Sequence, residues 1–149
     1  MNSITSSINF HYLIAPFYFP RRTAIKKFLS SVFTAHSKKI EAVNFIFCTD
    51  KYLLSLNRGF LKHNYYTDVI TFELNKKGEA ILSDVYISID RARDNANLYH
   101  VSVYNELLRL LIHSSLHLCG FMDKTKKDIA QMRNLEDIYL NSFVSRETK

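Results

Sequence analysis

The run "DVITFELNKKGEAILSDVYISI", residues 68–89, narrows the available folds more than any other part of the chain. Its two halves, 68–74 and 80–89, are rich in β-branched and aromatic residues and read as strands. Only "NKKGE" separates them, which suits a hairpin turn, so the two strands are expected side by side and antiparallel. Upstream the connection is of another kind. "INFHYL" (8–13) reads as an edge strand and "EAVNFIF" (41–47) as a second strand. Between them Ile25, Phe28, Leu29, Val32 and Phe33 form one helical stripe. Strands joined through a helix can run parallel, so the sheet is expected to be mixed.

The remaining segments are helical by period. "TDKYLLSLNRGFL" has a possible N-cap at Thr49 or Asp50 and apolar spacing through Tyr52, Leu53, Leu56 and Phe60. From Asp90 onward one helix is expected over about 90–98 and another over 102–118, the latter stopped by Gly120 at C′. A last amphipathic helix, about 125–143, carries Ile129, Met132, Leu135, Ile138, Tyr139 and Phe143. The order β-α-β-α-β-β-α-α-α implies an α+β fold, a mixed four-stranded sheet with helices packed on it. A length of 149 residues suits one domain spanning 1–149. With three glycines and two prolines, no linker divides the chain.

Lys and Arg number 20 against 14 Asp and Glu, a net charge of +6, which permits a polyanion partner without requiring one. The cations cluster at 20–27, 37–39, 76–77 and 124–127. Cys48 and Cys119 lie in apolar runs and form no Cys-x-x-Cys pair, so reduced, buried thiols are expected. The apolar N-terminal segment is interrupted by His11 and Pro16 and has its positive charges after the apolar run, the reverse of a secretory signal. No window approaches the roughly 18 apolar residues of a membrane span. These features lead us to expect a cytoplasmic protein without a membrane partner.

The chemistry is concentrated in "LLIHSSLHLCGFMDKT", residues 110–125. Positions i and i+4 share a helix face, so His113 and His117 can present two imidazoles to one ion. A stop at Gly120 lets the chain turn and bring Asp123 toward the same point. Three protein ligands with an open position is the layout of a catalytic zinc site at the end of a central helix. On spacing alone a second reading stands beside it: two hydrogen-bonded histidines in an apolar helix. Position 114 is Ser where a metalloprotease would carry its glutamate base, which disfavours peptide hydrolysis by that mechanism. His11, His36 and His100 have no partner at ligand spacing.

"HSSLHLCGFMD" resembles the His-Gly-x-Leu-His-Leu-x-Gly-Tyr-Asp-His segment of the YbeY family, metal-dependent endoribonucleases of bacterial ribosomal RNA maturation. "LNRGFLKHNYYTDVITFE" (56–73), "ILSDVYIS" (81–88) and "KKDIAQM" (126–132) are similar to further blocks of that family, in the same order over residues 41–140. The resemblance implies a single-strand-specific, zinc-dependent endoribonuclease acting in 16S 3′-end maturation and ribosome quality control. It makes His113, His117 and Asp123 the metal ligands, with Asp123 where the family has a third histidine. A carboxylate there remains a sound zinc ligand and admits other divalent metals. RNA and the ribosomal subunit are the implied partners. Arg58, Lys62, Thr67, Asp68, Lys124, Lys126 and Lys127 are candidates for RNA contact, and Asp84 and His63 for proton transfer. Thr67, Asp68 and Asp84 are expected to line the cleft. Tyr65 and Tyr66 offer stacking surfaces for single-stranded bases. Leu61 stands where the family usually has an arginine, and leucine cannot hold a phosphate. That departure keeps open a non-catalytic ribosome-associated RNA-binding factor with a structural metal. A general metal hydrolase is the other alternative, disfavoured by the basic clusters.

Overall fold

The computed structural model describes residues 7–62 and 67–147. Nine elements follow in the expected order: β1 (Ile8–Tyr12), α1 (Arg22–Ala35), β2 (Ile40–Cys48), α2 (Asp50–Phe60), β3 (Val69–Glu73), β4 (Ile81–Ser88), α3 (Ile89–Tyr99), α4 (Val103–Leu118) and α5 (Lys126–Glu147). The four strands form one mixed sheet in the order β1-β2-β4-β3. β1 and β2 pair in parallel, as do β2 and β4, while β3 is antiparallel to β4. The hairpin therefore sits at one end of the sheet, and β3 is an edge strand.

Period-two alternation divides the sheet into two faces. Val43, Phe45 and Phe47 of β2 and Val85 and Ile87 of β4 are fully buried against the main core. α1 contributes Ile25, Phe28, Leu29, Val32 and Phe33 to that core, as its stripe requires. α4 adds Leu107, Leu111, Ile112 and Leu116, all almost completely buried. An aromatic group formed by Phe10, Phe17, Phe19 and Phe47, with ring centroids 5.3–5.8 Å apart for several pairs, closes the β1 end. On the opposite face α2 packs Leu53 and Leu56 over Ile70, Cys48, Phe72 and Tyr86. No helix of the described residues is long and apolar enough to cross a membrane.

Four helices begin at side-chain caps, α5 among them, where Thr125 accepts from Asp128 N–H. Thr49 accepts from Tyr52 N–H, Ser88 from Arg91 N–H and Ser102 from Asn105 N–H. Of the two candidates for the α2 cap, Thr49 is therefore the one used. Arg91 forks onto Asp50 at 2.8–3.1 Å, tying the start of α2 to the start of α3. The last helix departs from its expected stripe. Ile129 and Ile138 are more than half exposed, and Leu140 is buried with Met132 and Phe143 instead. The true stripe runs Met132, Glu136, Leu140 and Phe143, with an acid in its middle.

Both cysteines are buried and unpaired. Burial, then the charges of Asp90 and Asp50, pushes the Cys48 thiol up to about 12, and burial pushes Cys119 up to about 11. Both remain thiols at neutral pH.

Candidate metal centre

α4 carries the two histidines on one side, a turn apart, where it leaves the core. Its end is fixed by backbone geometry. Gly120 N–H donates to the His117 carbonyl at 3.0 Å and Phe121 N–H to the Leu116 carbonyl at 3.1 Å. This paired closure needs a residue at positive φ, and Gly120 has φ 108°. The turn brings the Phe121 carbonyl back to His117, whose Nδ1 lies 3.1 Å from it. A carbonyl only accepts, so His117 carries its proton on Nδ1 and leaves Nε2 as a donor of electrons.

His113 is fixed in the same way by a different acceptor. Its Nδ1 lies 2.6 Å from Glu136 Oε2 on α5. Glu136 is 5% exposed, and its other oxygen takes Arg109 Nη1 at 3.0 Å, while Arg109 Nη2 reaches Asp137 at 2.7 Å. Burial raises the Glu136 pKa, but the hydrogen bonds and charges of His113 and Arg109 outweigh it and hold the carboxylate below its ordinary range. Burial disfavours charge on His113, yet Glu136, aided by Asp123 and Asp68, raises its pKa overall. Both imidazoles thus have Nδ1 committed to the protein and Nε2 directed away from that anchor. A carboxylate or carbonyl behind each ring is the arrangement that orients histidine ligands of metals.

Asp123 follows the α4 turn, and its Oδ2 stands 3.5 Å from His113 Nε2. Two ligands on one tetrahedral ion, each about 2.0–2.2 Å from it, would stand roughly 3.4 Å apart, so this spacing fits a shared ion. His117 and Asp123 line the same cavity as His113, of about 270 Å³. Among the described residues no three His, Cys, Asp or Glu side chains are placed so that together they could hold a metal ion. Asp123 is 44% exposed on the connection between α4 and α5. The donor set suits zinc, and its mixture of nitrogen and oxygen suits other divalent ions as well.

The opposite wall of this cavity is formed by the end of α2 and by β3, through Asn57, Leu61, Thr67, Val69 and Thr71. A side chain at position 61 therefore does reach the cleft. A second cavity, of about 320 Å³, shares His113 and Asp123 and is lined further by Asp68, Glu106, Arg109 and Arg133. Glu106 is 4% exposed, and burial raises its pKa against the lowering effects of Asn95 and Arg109.

Thr67 and Asp68 lie in the cleft where the sequence placed them, one in each cavity. Asp84 does not. It stands opposite Phe72 in the β3–β4 pairing, on the face covered by α2, and accepts from Asn44 Nδ2 at 3.1 Å. The expectation that Asp84 lines the cleft is corrected by strand alternation: its neighbours Val85 and Ser83 point toward α4, so Asp84 points away. Arg58, Lys62, Lys124, Lys126 and Lys127 are exposed and line neither cavity, so they belong to the surrounding surface. His63, Tyr65 and Tyr66 lie outside the described residues. His36 is a packed core-edge residue, 2.9 Å from the Tyr139 hydroxyl and edge-on to Phe121. Glu136 and Arg109 were missed from the sequence. The available signal was Glu136 itself, an acid four residues from both Met132 and Leu140 on an apolar stripe.

A family model described as Endoribonuclease YbeY matches residues 19–144. A relative from Cytophaga hutchinsonii named Endoribonuclease YbeY is 46% identical over 121 residues, covering 81% of this chain and 85% of its own. One of the same name from Flavobacterium psychrophilum is 41% identical over 136 residues, covering 91% and 96%. The solution structure of a Thermotoga maritima protein superposes with TM-score 0.65 over 95% of this chain and 91% of that one, at 21% identity, a likeness of fold.

Proposed function

The chain belongs to the Endoribonuclease YbeY family, and from that premise we propose that it hydrolyses RNA phosphodiester bonds at the α4 cleft with a bound divalent metal, zinc first among the options. The reading extends to single-stranded ribosomal RNA as substrate, in 16S 3′-end maturation and ribosome quality control. The observation that carries it is the pair of anchored imidazoles. Glu136 and the Phe121 carbonyl each hold an Nδ1, which leaves both Nε2 atoms open, and Asp123 stands 3.5 Å from the first of them.

His113, His117 and Asp123 would hold the metal, which when bound supplies an acidified water and a positive charge beside the phosphate. The chain's own groups do the rest. Glu136 fixes the ring of His113 and keeps its Nδ1 proton from the reacting centre. Asp68 lines the adjoining cavity and would be the carboxylate that exchanges a proton with the leaving group. The exposed lysines 124, 126 and 127 raise the local concentration of RNA from outside the cleft.

The test is cleavage of single-stranded RNA by purified His113→Ala/His117→Ala protein, with and without chelator. Loss of cleavage in both the variant and the chelated wild type is expected. Cleavage that survives both changes would exclude the site. The alternative of a non-catalytic RNA-binding factor draws on Leu61 in the cavity wall. RNA binding without any cleavage by metal-loaded wild type would favour it.

A further inference from the structure

A nuclease cleft has to hold a phosphodiester, yet among the described residues no lysine or arginine lines the cavity that contains both histidines. What its wall offers instead is backbone. Ser88 N–H bonds the Asp68 carbonyl and Leu74 N–H the Leu82 carbonyl, which fixes the parity of the β3–β4 ladder. In an antiparallel pair, bonded and non-bonded positions alternate. The pairs Val69–Ile87, Thr71–Val85 and Glu73–Ser83 are therefore the non-bonded ones. The N–H and C=O of Val69, Thr71 and Glu73 consequently point away from β4, along an edge that no other strand of the described residues covers. Val69 and Thr71 lie in the cavity wall with His113 and His117. Glu73 lies beyond it and is exposed.

We propose that the free edge of β3 is the subsite for the sugar–phosphate backbone of the RNA. The Thr71 N–H donates to a phosphate oxygen, and the Thr71 carbonyl accepts from a ribose 2′-hydroxyl. This deepens the endoribonuclease reading and rests on it. An N–H bond to an anionic oxygen is charge-assisted and needs no cation. The carbonyl adds selectivity, because DNA has no 2′-hydroxyl and would leave it desolvated and unpaired. The length of the open edge favours a nucleotide over an added peptide strand. The Val69 carbonyl is already approached by the Thr67 hydroxyl at 3.5 Å, so the part open to the cavity centres on Thr71. The assignment also explains how leucine at position 61 is compatible with phosphate binding.

Proline is tolerated on an edge strand where its missing N–H faced outward, so Thr71→Pro removes the proposed donor selectively. Binding of a fluorescent single-stranded RNA is measured by anisotropy in chelator, with circular dichroism melts to check folding. Thr71→Pro should bind roughly 10- to 100-fold more weakly, as expected for loss of a bond to a charged acceptor. Glu73→Pro, on the same edge outside the cavity, should stay within about twofold. If Thr71→Pro fails to fold, a scan of single 2′-deoxy substitutions on wild type serves instead, and one position should weaken binding by roughly 2- to 10-fold. Wild-type affinity in a folded Thr71→Pro, or DNA bound as tightly as RNA, would overturn the proposal. So would protection of the Thr71 amide from hydrogen exchange by an extended peptide but not by RNA. Because binding is read without metal, these results stand apart from those of the histidine double variant.

Discussion

Glu136→Ala tests whether the α4 site depends on a carboxylate carried by another helix. The substitution deletes an acceptor that is 5% exposed and serves two donors, His113 Nδ1 at 2.6 Å and Arg109 Nη1 at 3.0 Å. Removing one member of a buried charge set costs about 3–5 kcal/mol when its partners are stranded. Here Arg109 keeps Asp137 at 2.7 Å, and the Arg109 and His113 side chains are 18% and 24% exposed, so water can take up part of the loss. The expected cost falls to about 2–3 kcal/mol. For a chain of this size that is a drop in Tm of about 4–12 °C. Apparent zinc affinity, measured by competition with a chromogenic chelator, should fall about 10- to 100-fold, because His113 is no longer aimed. Glu136→Gln keeps an acceptor for Nδ1 and should recover most of the affinity. A folded Glu136→Ala protein with wild-type zinc affinity would refute the reasoning, whatever its Tm.

Gly120→Ala meets no steric neighbour, but φ 108° is costly for a residue with Cβ, so stability should fall by about 1–2 kcal/mol in urea titration. Asp123→Ala should cut metal occupancy sharply in elemental analysis while Asp123→His retains it; full occupancy in the alanine variant would remove Asp123 from the ligand set. Glu106 has a folded pKa raised by burial, so the folded state binds the proton more readily than the unfolded one. Its ionisation penalty is present above the raised pKa and is relieved as pH falls toward the ordinary carboxylate range. Glu106→Gln should therefore raise Tm at pH 8, with the gain shrinking as melts are repeated at lower pH.

The fold was largely legible because local signals agreed with one another. The short hairpin connection, the α1 stripe and the stop at Gly120 each specify their element without reference to the rest. The site was legible only along α4, where i, i+4 spacing puts two imidazoles together. Glu136 comes from 23 positions further on, and nothing local in α4 announces it. Asp84 shows the opposite failure. Its block matched the family pattern, but "ILSDVYIS" has its apolar phase at Ile81, Val85 and Ile87, and that phase turns Asp84 to the other face. The outward parity of Thr71 depends on how β3 pairs with β4, a register that the strand's own sequence does not contain.

The hydrogen bond between His113 and Glu136 has a bearing on the order of synthesis. α4 leaves the ribosome before α5, so a growing chain contains both histidines before it contains the carboxylate that aims one of them. A nascent or prematurely ended chain stopping short of residue 136 has the two histidines of the proposed site without the carboxylate that aligns His113. If alignment sets metal capture, competence arrives only with the last helix, and an incomplete copy is poorly equipped to cut the RNA around it. Stalled chains ending before and after residue 136 should differ in zinc uptake, and equal uptake would show that the timing of α5 has no such effect.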